Sequence, residues 1–144
     1  MENKEGLIWY NGDFIDWKDA KLHVLTHGLH YASSVFEGER SYSGKIFKLH
    51  EHTERLFFSA SELDFVIPYS IEEIKDACYL TLKKNNLVDA YIRPIAWRGA
   101  ETVGVSAQNT KIHCAIAVWE WPSYFSPEDK LKGIKLTLSN WRRP

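Results

Sequence analysis

Three histidines, His23, His27 and His30, fall at i, i+4 and i+7. On a helix that spacing stacks imidazoles along one face, an arrangement able to catch zinc. No acidic or cysteine ligand accompanies them, so ordinary packing is the preferred reading. His50-Glu51-His52 carries the residue types of an acid–base pair but reads as the polar start of a helix. Cys114 follows His113 directly; neighbours on a strand point to opposite faces, so the two cannot act as a nucleophile–base dyad. Arg55 lies in a helical pattern with Glu51 and Glu54, and spacing alone makes it a solvated arginine paired with one of those acids. Tyr91 and Arg93 occupy alternate positions of an extended pattern, which turns a neutral hydroxyl and a cation the same way. A glycine-rich phosphate loop of the P-loop or dinucleotide type is absent from the sequence.

These residues need elements to position them. Leu7 to Tyr10, Asn11-Gly12 and Asp13 to Trp17 predict a hairpin, because Asn-Gly takes the positive φ values of a type I′ turn. A second β unit runs from about Ser34 through Phe36, Arg40 and Tyr42, turns at Ser43-Gly44 and returns over Lys45 to Leu49. From Glu51 to Leu63, the residues Leu56, Ala60 and Leu63 recur at helical spacing. Ser70 with Glu73 forms a capping box for a helix reaching about Lys84, buried along Ile71, Ile74, Cys78 and Leu82 and ended at Asn85-Asn86. Two more strands are expected, Ala90 to Trp97 and Lys111 to Trp121, the first constrained by Pro94. Strands in pairs with the helices clustered together argue for an α+β sheet domain and against a doubly wound parallel sheet. The proline-bearing stretch after Trp121 reads as a linker, and Gly133 to Trp141 alternates like a further strand without partners in the sequence given.

Composition narrows the function classes. With 44% hydrophobic and 14% aromatic residues, 144 residues suffice to bury the core of one domain with a short overhang. The formal charge of -1, from 18 basic and 19 acidic residues spread along the chain, argues against nucleic acid or an anionic membrane as partner. Two cysteines in helix and strand patterns are the usage of a reducing compartment, which makes cytoplasm the expected location. No signal-peptide core is visible, nor any run approaching the ~20 apolar residues of a membrane helix.

The stretch His27-Gly28-Leu29-His30-Tyr31-Ala32-Ser33-Ser34-Val35-Phe36-Glu37-Gly38-Glu39-Arg40 resembles the first signature of the branched-chain amino-acid aminotransferases, of the fold-type IV pyridoxal-phosphate class. Glu54-Arg55-Leu56, Ala90-Tyr91-Ile92-Arg93-Pro94, Val103-Gly104-Val105 and Ser139-Asn140-Trp141-Arg142-Arg143-Pro144 join it in the family's order. The resemblance covers essentially the whole chain. It implies the small N-terminal α+β domain of the D-amino-acid aminotransferase-like fold, a sheet with two packed helices, over 1–121. It further implies an interdomain linker over 122–132 and the first strand of a large cofactor-binding domain over 133–144.

The same resemblance implies transamination of leucine, isoleucine or valine with 2-oxoglutarate, using pyridoxal 5'-phosphate, in a homo-oligomer. Arg55 would hold the cofactor phosphate, since a planar guanidinium donates two parallel hydrogen bonds to a dianion, and the surrounding motif reverses the preference drawn from spacing. Phe36, Tyr31 and Val105 would wall the pocket for the branched side chain, Tyr31 and the Val105 loop being offered across the dimer interface. Core packing is the default for each taken singly. Tyr91 and Arg93 would face the substrate's carboxylates, and Tyr124 matches a pocket tyrosine. The family's Schiff-base lysine matches none of the lysines present, Lys48, Lys83 and Lys111 among them, so no catalytic residue is assigned and the chain is expected to be inactive alone. A D-amino-acid aminotransferase, an aminodeoxychorismate lyase relative, or a non-catalytic self-associating remnant are the alternatives.

Overall fold

The computed structural model describes residues 4–122 and 125–142. Strand β1 (Leu7–Tyr10) and strand β2 (Asp13–Asp16) form the expected hairpin, with Asn11 at φ 51° and Gly12 at φ 99°. Both values are positive, as a type I′ turn demands. After a 3-10 turn at Trp17–Asp19 comes the short helix α1 (His27–Tyr31), then strands β3 (Ser34–Phe36), β4 (Glu39–Tyr42) and β5 (Lys45–Ile46). Helix α2 (Leu49–Glu62) and helix α3 (Ile71–Lys84) follow, then the long strands β6 (Ala90–Arg98) and β7 (Ile112–Trp119) and the short helix α4 (Pro127–Lys132).

All seven of these strands belong to one antiparallel sheet in the order β2-β1-β7-β6-β4-β5, with β3 pairing the far end of β6. Strand β6 is thus flanked by β7 on one side and by β3 and β4 in succession on the other. Its Pro94 survives in a central position for a geometric reason. The Pro94 carbonyl accepts from the Glu37 N–H, so its ring nitrogen faces the same side, where the chain bends between β3 and β4 and the ladder is already interrupted.

Period-two alternation gives the sheet two unlike faces. Ala90, Ile92, Ala96, Cys114, Ile116 and Val118 point toward α2 and α3, where Leu56, Ala60, Ile74, Cys78 and Leu82 close a core. Tyr91, Arg93, Ile95 and Trp97 occupy the opposite face beside Ala115, Ala117 and Ile8. This is the α+β architecture the sequence implies, two helices on one side of an antiparallel sheet.

Three elements differ from the sequence reading. The strand expected to run to Leu49 stops at Ile46, because Leu49 is drawn into the core as the first residue of α2, behind a left-handed Lys48. Leu63 stays exposed. Helix α2 ends one residue earlier and Asp64 reverses the chain at φ 54°, which buries Phe65 and Ile67 in its stead. Gly133 to Trp141 has the alternation of a strand but runs as irregular, exposed chain; without a neighbouring strand the ladder bonds that define the conformation are not made. The Ser70–Glu73 capping box is present in both directions, and Ser126 likewise caps α4 by accepting from Asp129 N–H.

Candidate functional site

The bend Phe36-Glu37-Gly38 between β3 and β4 organises the site, because successive side chains leave it on opposite faces of the sheet. On the open face, the Arg93 guanidinium lies 4.3 Å from the Phe36 ring centroid and donates to the Tyr91 hydroxyl at 2.8 Å. Arg93 Nε is buried with no acceptor among the described residues, an incomplete donor set on an otherwise packed cation. The Tyr91 ring makes tilted contacts with Trp119 (4.9 Å) and Trp121 (4.6 Å), and its hydroxyl lies against Gly38 so closely that any Cβ there would collide with it. The Arg93–Tyr91 pair forms a ridge between two hollows. One, of about 250 Å³, is apolar and lined by Ile8, Leu22, Leu29, Ile95 and Ala117 beside Arg93. The other, of about 660 Å³, is more polar and bordered by Arg40, Tyr42, Phe47, His52, Tyr91 and Trp121.

On the helix side of the same bend, Arg55 donates from Nε and Nη2 to the two Glu37 oxygens at 2.6 and 2.7 Å. His52 Nδ1 approaches Glu37 Oε2 at 2.8 Å. Burial pushes the Glu37 carboxyl up, but the hydrogen bonds and charges of Arg55 and His52 outweigh it and hold the group below the usual carboxylate range. Glu37 is 6% exposed and Arg55 is 63% exposed, so this is a buried carboxylate presenting a solvent-facing guanidinium. Glu51 and Glu54, the partners that spacing suggested for Arg55, are instead engaged by Lys48 and His50. Arg55 Nη2 also lies 3.2 Å from His52 Nδ1, while Nη1 has no hydrogen-bond partner among the described residues on a guanidinium that is largely exposed, so its free N–H groups could meet a phosphate.

Two residues beyond Glu37, Glu39 points to the helix side at 1% exposure with neither oxygen hydrogen-bonded among the described residues. Burial, reinforced by the Glu37 charge, pushes its carboxyl up to about 8. The two carboxylates therefore diverge, one charged and clamped, the other neutral. Cys78 and Cys114 are buried free thiols whose ionisation is raised by burial, Cys114 to about 12, which suits packing and not nucleophilic chemistry.

The structure sorts the sequence-derived residues into three places. Phe36, Tyr91 and Arg93 meet on the open face, while Arg55 stands behind the bend and reaches it through Glu37. Tyr31 and Val105 lie elsewhere, both exposed, the Tyr31 ring and the Val105 carbonyl each in contact with His27. Tyr124 lies outside the described residues. Glu37 stands within the signature, yet the sequence gives it no role, and His52 reads there only as part of a polar helix start. A carboxylate inside an apolar strand pattern is the available signal, since such a group must find a cation or lose its charge.

An antiparallel sheet backed by two helices is the α+β fold of the fold-type IV aminotransferases. The chain belongs to the family described as amino-transferase class IV, whose model matches residues 34–144. It is 44% identical to the branched-chain-amino-acid aminotransferase of Pseudomonas aeruginosa, an alignment covering 99% of this chain and 48% of that protein. A solved Escherichia coli branched-chain amino acid aminotransferase superposes at TM-score 0.86 with 39% identity, over 98% of this chain and 46% of that one. The T.th. branched-chain amino acid aminotransferase with pyridoxamine 5'-phosphate superposes at TM-score 0.80 with 42% identity, over 87% and 43%. That enzyme has also been solved with 4-methylvaleric acid and with N-(5'-phosphopyridoxyl)-L-glutamate. The chain spans about half the length of the curated relatives it matches.

Proposed function

We propose that this chain supplies the substrate-facing half of a branched-chain amino-acid transaminase acting on L-leucine, L-isoleucine or L-valine with 2-oxoglutarate. The observation that carries the reading is Arg93, whose guanidinium lies on Phe36, bonds Tyr91 and keeps Nε unspent. A cation and a hydroxyl beside an aromatic wall suit a molecule with a carboxylate at one end and a hydrocarbon branch at the other. That is also the chemistry of 4-methylvaleric acid, with which the T.th. relative was solved.

Pyridoxal 5'-phosphate, when bound, supplies the electron sink that transamination requires. Arg55 would hold its phosphate through its free guanidinium N–H groups, and Glu37 with His52 would keep the guanidinium aimed. Phe36 bounds the space for the branched side chain, and Tyr124 belongs near it by resemblance. Tyr31 and Val105 would complete the wall in a second copy of the chain, which makes the active form a homo-oligomer. In the domain reading, 1–121 is the small domain, 122–132 the linker and 133–144 the start of a large domain bearing the reactive lysine. On its own the chain would not turn over.

The test is a leucine/2-oxoglutarate assay with pyridoxal phosphate, on the product of the native gene and on these 144 residues alone. Turnover by a longer gene product and none by the chain alone supports both parts. Turnover by neither sinks the function, and turnover by the chain alone sinks the requirement for a further domain.

A further inference from the structure

The loop between β6 and β7, residues 99–111, carries Val105 and is pinned at three points. Arg98 Nη1 donates to the Ala107 carbonyl at 3.0 Å, and Glu101 accepts from the Lys111 N–H at 3.0 Å while meeting His113 Nε2 at 2.6 Å. The third pin is His27. Its backbone N–H donates to the Gly99 carbonyl at 2.9 Å where the loop begins, and its ring Nε2 lies 3.2 Å from the Val105 carbonyl near the loop's far side. A carbonyl only accepts, so Nε2 carries the hydrogen; in the neutral ring Nδ1 then accepts from the Ser33 hydroxyl at 2.6 Å. The ring is 5% exposed and stands 4.6 Å from the Tyr31 ring. Among the three pins it alone touches Tyr31. A small recess of about 60 Å³ separates the two sides, lined by His27 and Tyr31 on one and by Thr102, Val103 and Gly104 on the other.

We propose that His27 is a positioning residue that fixes the distance between Tyr31 and Val105, and through it the width of the apolar wall these two residues offer an aliphatic substrate side chain. The inference rests on the transaminase reading, which gives Tyr31 and Val105 their pocket. Its physical basis is that two exposed side chains on separate elements hold a fixed separation only if something buried is bonded to both elements. His27 is that group, held in one rotamer by a hydrogen bond at each ring nitrogen and by its own backbone. None of its contacts reaches the Arg93–Tyr91 ridge, so it should influence recognition of the hydrocarbon branch and leave the carboxylate contacts alone.

The experiment compares the active protein with His27→Phe and His27→Gln. Phenylalanine keeps a ring against Tyr31 but leaves the Val105 carbonyl and Ser33 hydroxyl unpaired; glutamine retains an amide N–H able to reach Val105. For His27→Phe, KM for leucine should rise roughly tenfold, with kcat and KM for glutamate changing less than about twofold, and His27→Gln should recover most of the loss. Ring ¹⁵N shifts of His27 should report the Nε2–H tautomer, and hydrogen exchange across 103–105 should accelerate in His27→Phe. Should His27→Phe fail to fold, His27→Gln carries the test, an expected intermediate KM for leucine supporting the strut. An active protein whose variants keep the leucine KM, or lose leucine and glutamate alike, overturns the inference while the function stands. A wild-type protein without transaminase activity overturns the function and the pocket role with it.

Discussion

On the helix-covered face of the sheet, Ile92, Ile116 and Cys78 are held by close packing among aliphatic neighbours, and the one charged group there, Glu37, is gripped by Arg55 and His52. On the open face, Tyr91, Arg93, Trp119 and Phe36 are held by tilted ring–ring and cation–ring contacts, with Phe36 57% exposed and Arg93 keeping an unspent donor. Among the described residues, the unpaired side-chain oxygens of the first face belong to Glu39, while the second keeps Arg93 Nε unpaired. The contrast shows how one sheet divides labour. Aliphatic burial supplies stability where nothing has to enter, and aromatic and guanidinium groups keep their positions without excluding a visitor, since their contacts are attractive even when half solvated.

The comparison breaks most readily by truncation. Ile92→Ala, in the fully buried core, should cost roughly 2–5 kcal/mol in chemical denaturation, whereas Ile95→Ala on the half-covered face should cost clearly less. Equal losses would show that the open face is packed as tightly as the other.

Next comes Glu39. Its carboxyl is raised by burial from the usual range to about 8 in the folded state, so the folded chain binds the proton more tightly than the unfolded one. That stability is fully present below the unfolded carboxylate range, declines as pH rises through it and is gone by about pH 8. Between about pH 5 and pH 9 the protein should lose on the order of 3 kcal/mol from this group, and Glu39→Gln should flatten that slope in melts across the range. An unchanged slope would mean that Glu39 finds a partner.

A smaller effect is expected on the open face. Under the proposed function, Arg93→Gln in the active full-length protein should raise KM for leucine and glutamate roughly tenfold with little change in melting temperature, the fold leaving Arg93 Nε without an acceptor among the described residues. Loss of stability without loss of affinity would recast Arg93 as a packing residue. Smallest of all, Ser70→Ala removes the capping oxygen of α3 and should cost about 1 kcal/mol, read from the denaturation midpoint. It sharpens the contrast by measuring what local hydrogen bonding contributes to the helix layer apart from burial.

Much of the fold is legible from residues alone where the governing interaction is local. Asn11-Gly12 specifies its turn, Ser70 with Glu73 specifies a helix start, and alternation at Tyr91 and Arg93 puts both on one side of a strand. Helical periodicity holds at Leu56 and Ala60 and fails at Leu63, because periodicity does not say where a helix ends and the left-handed Asp64 does. Leu49 departs from its expected strand for a related reason, since a buried leucine serves a strand or a helix equally well.

The amino-acid sequence by itself therefore determined the order of elements, their turns and caps and the family signature, all of which rest on neighbours within a few positions. Tertiary structure alone decided which side of the sheet each functional group serves. Arg55 found Glu37 at 18 residues' remove instead of the acids beside it, and His27 found the Val105 carbonyl at 78. Those choices are settled by which groups burial leaves needing a partner once the sheet has closed, and a linear pattern does not carry that information.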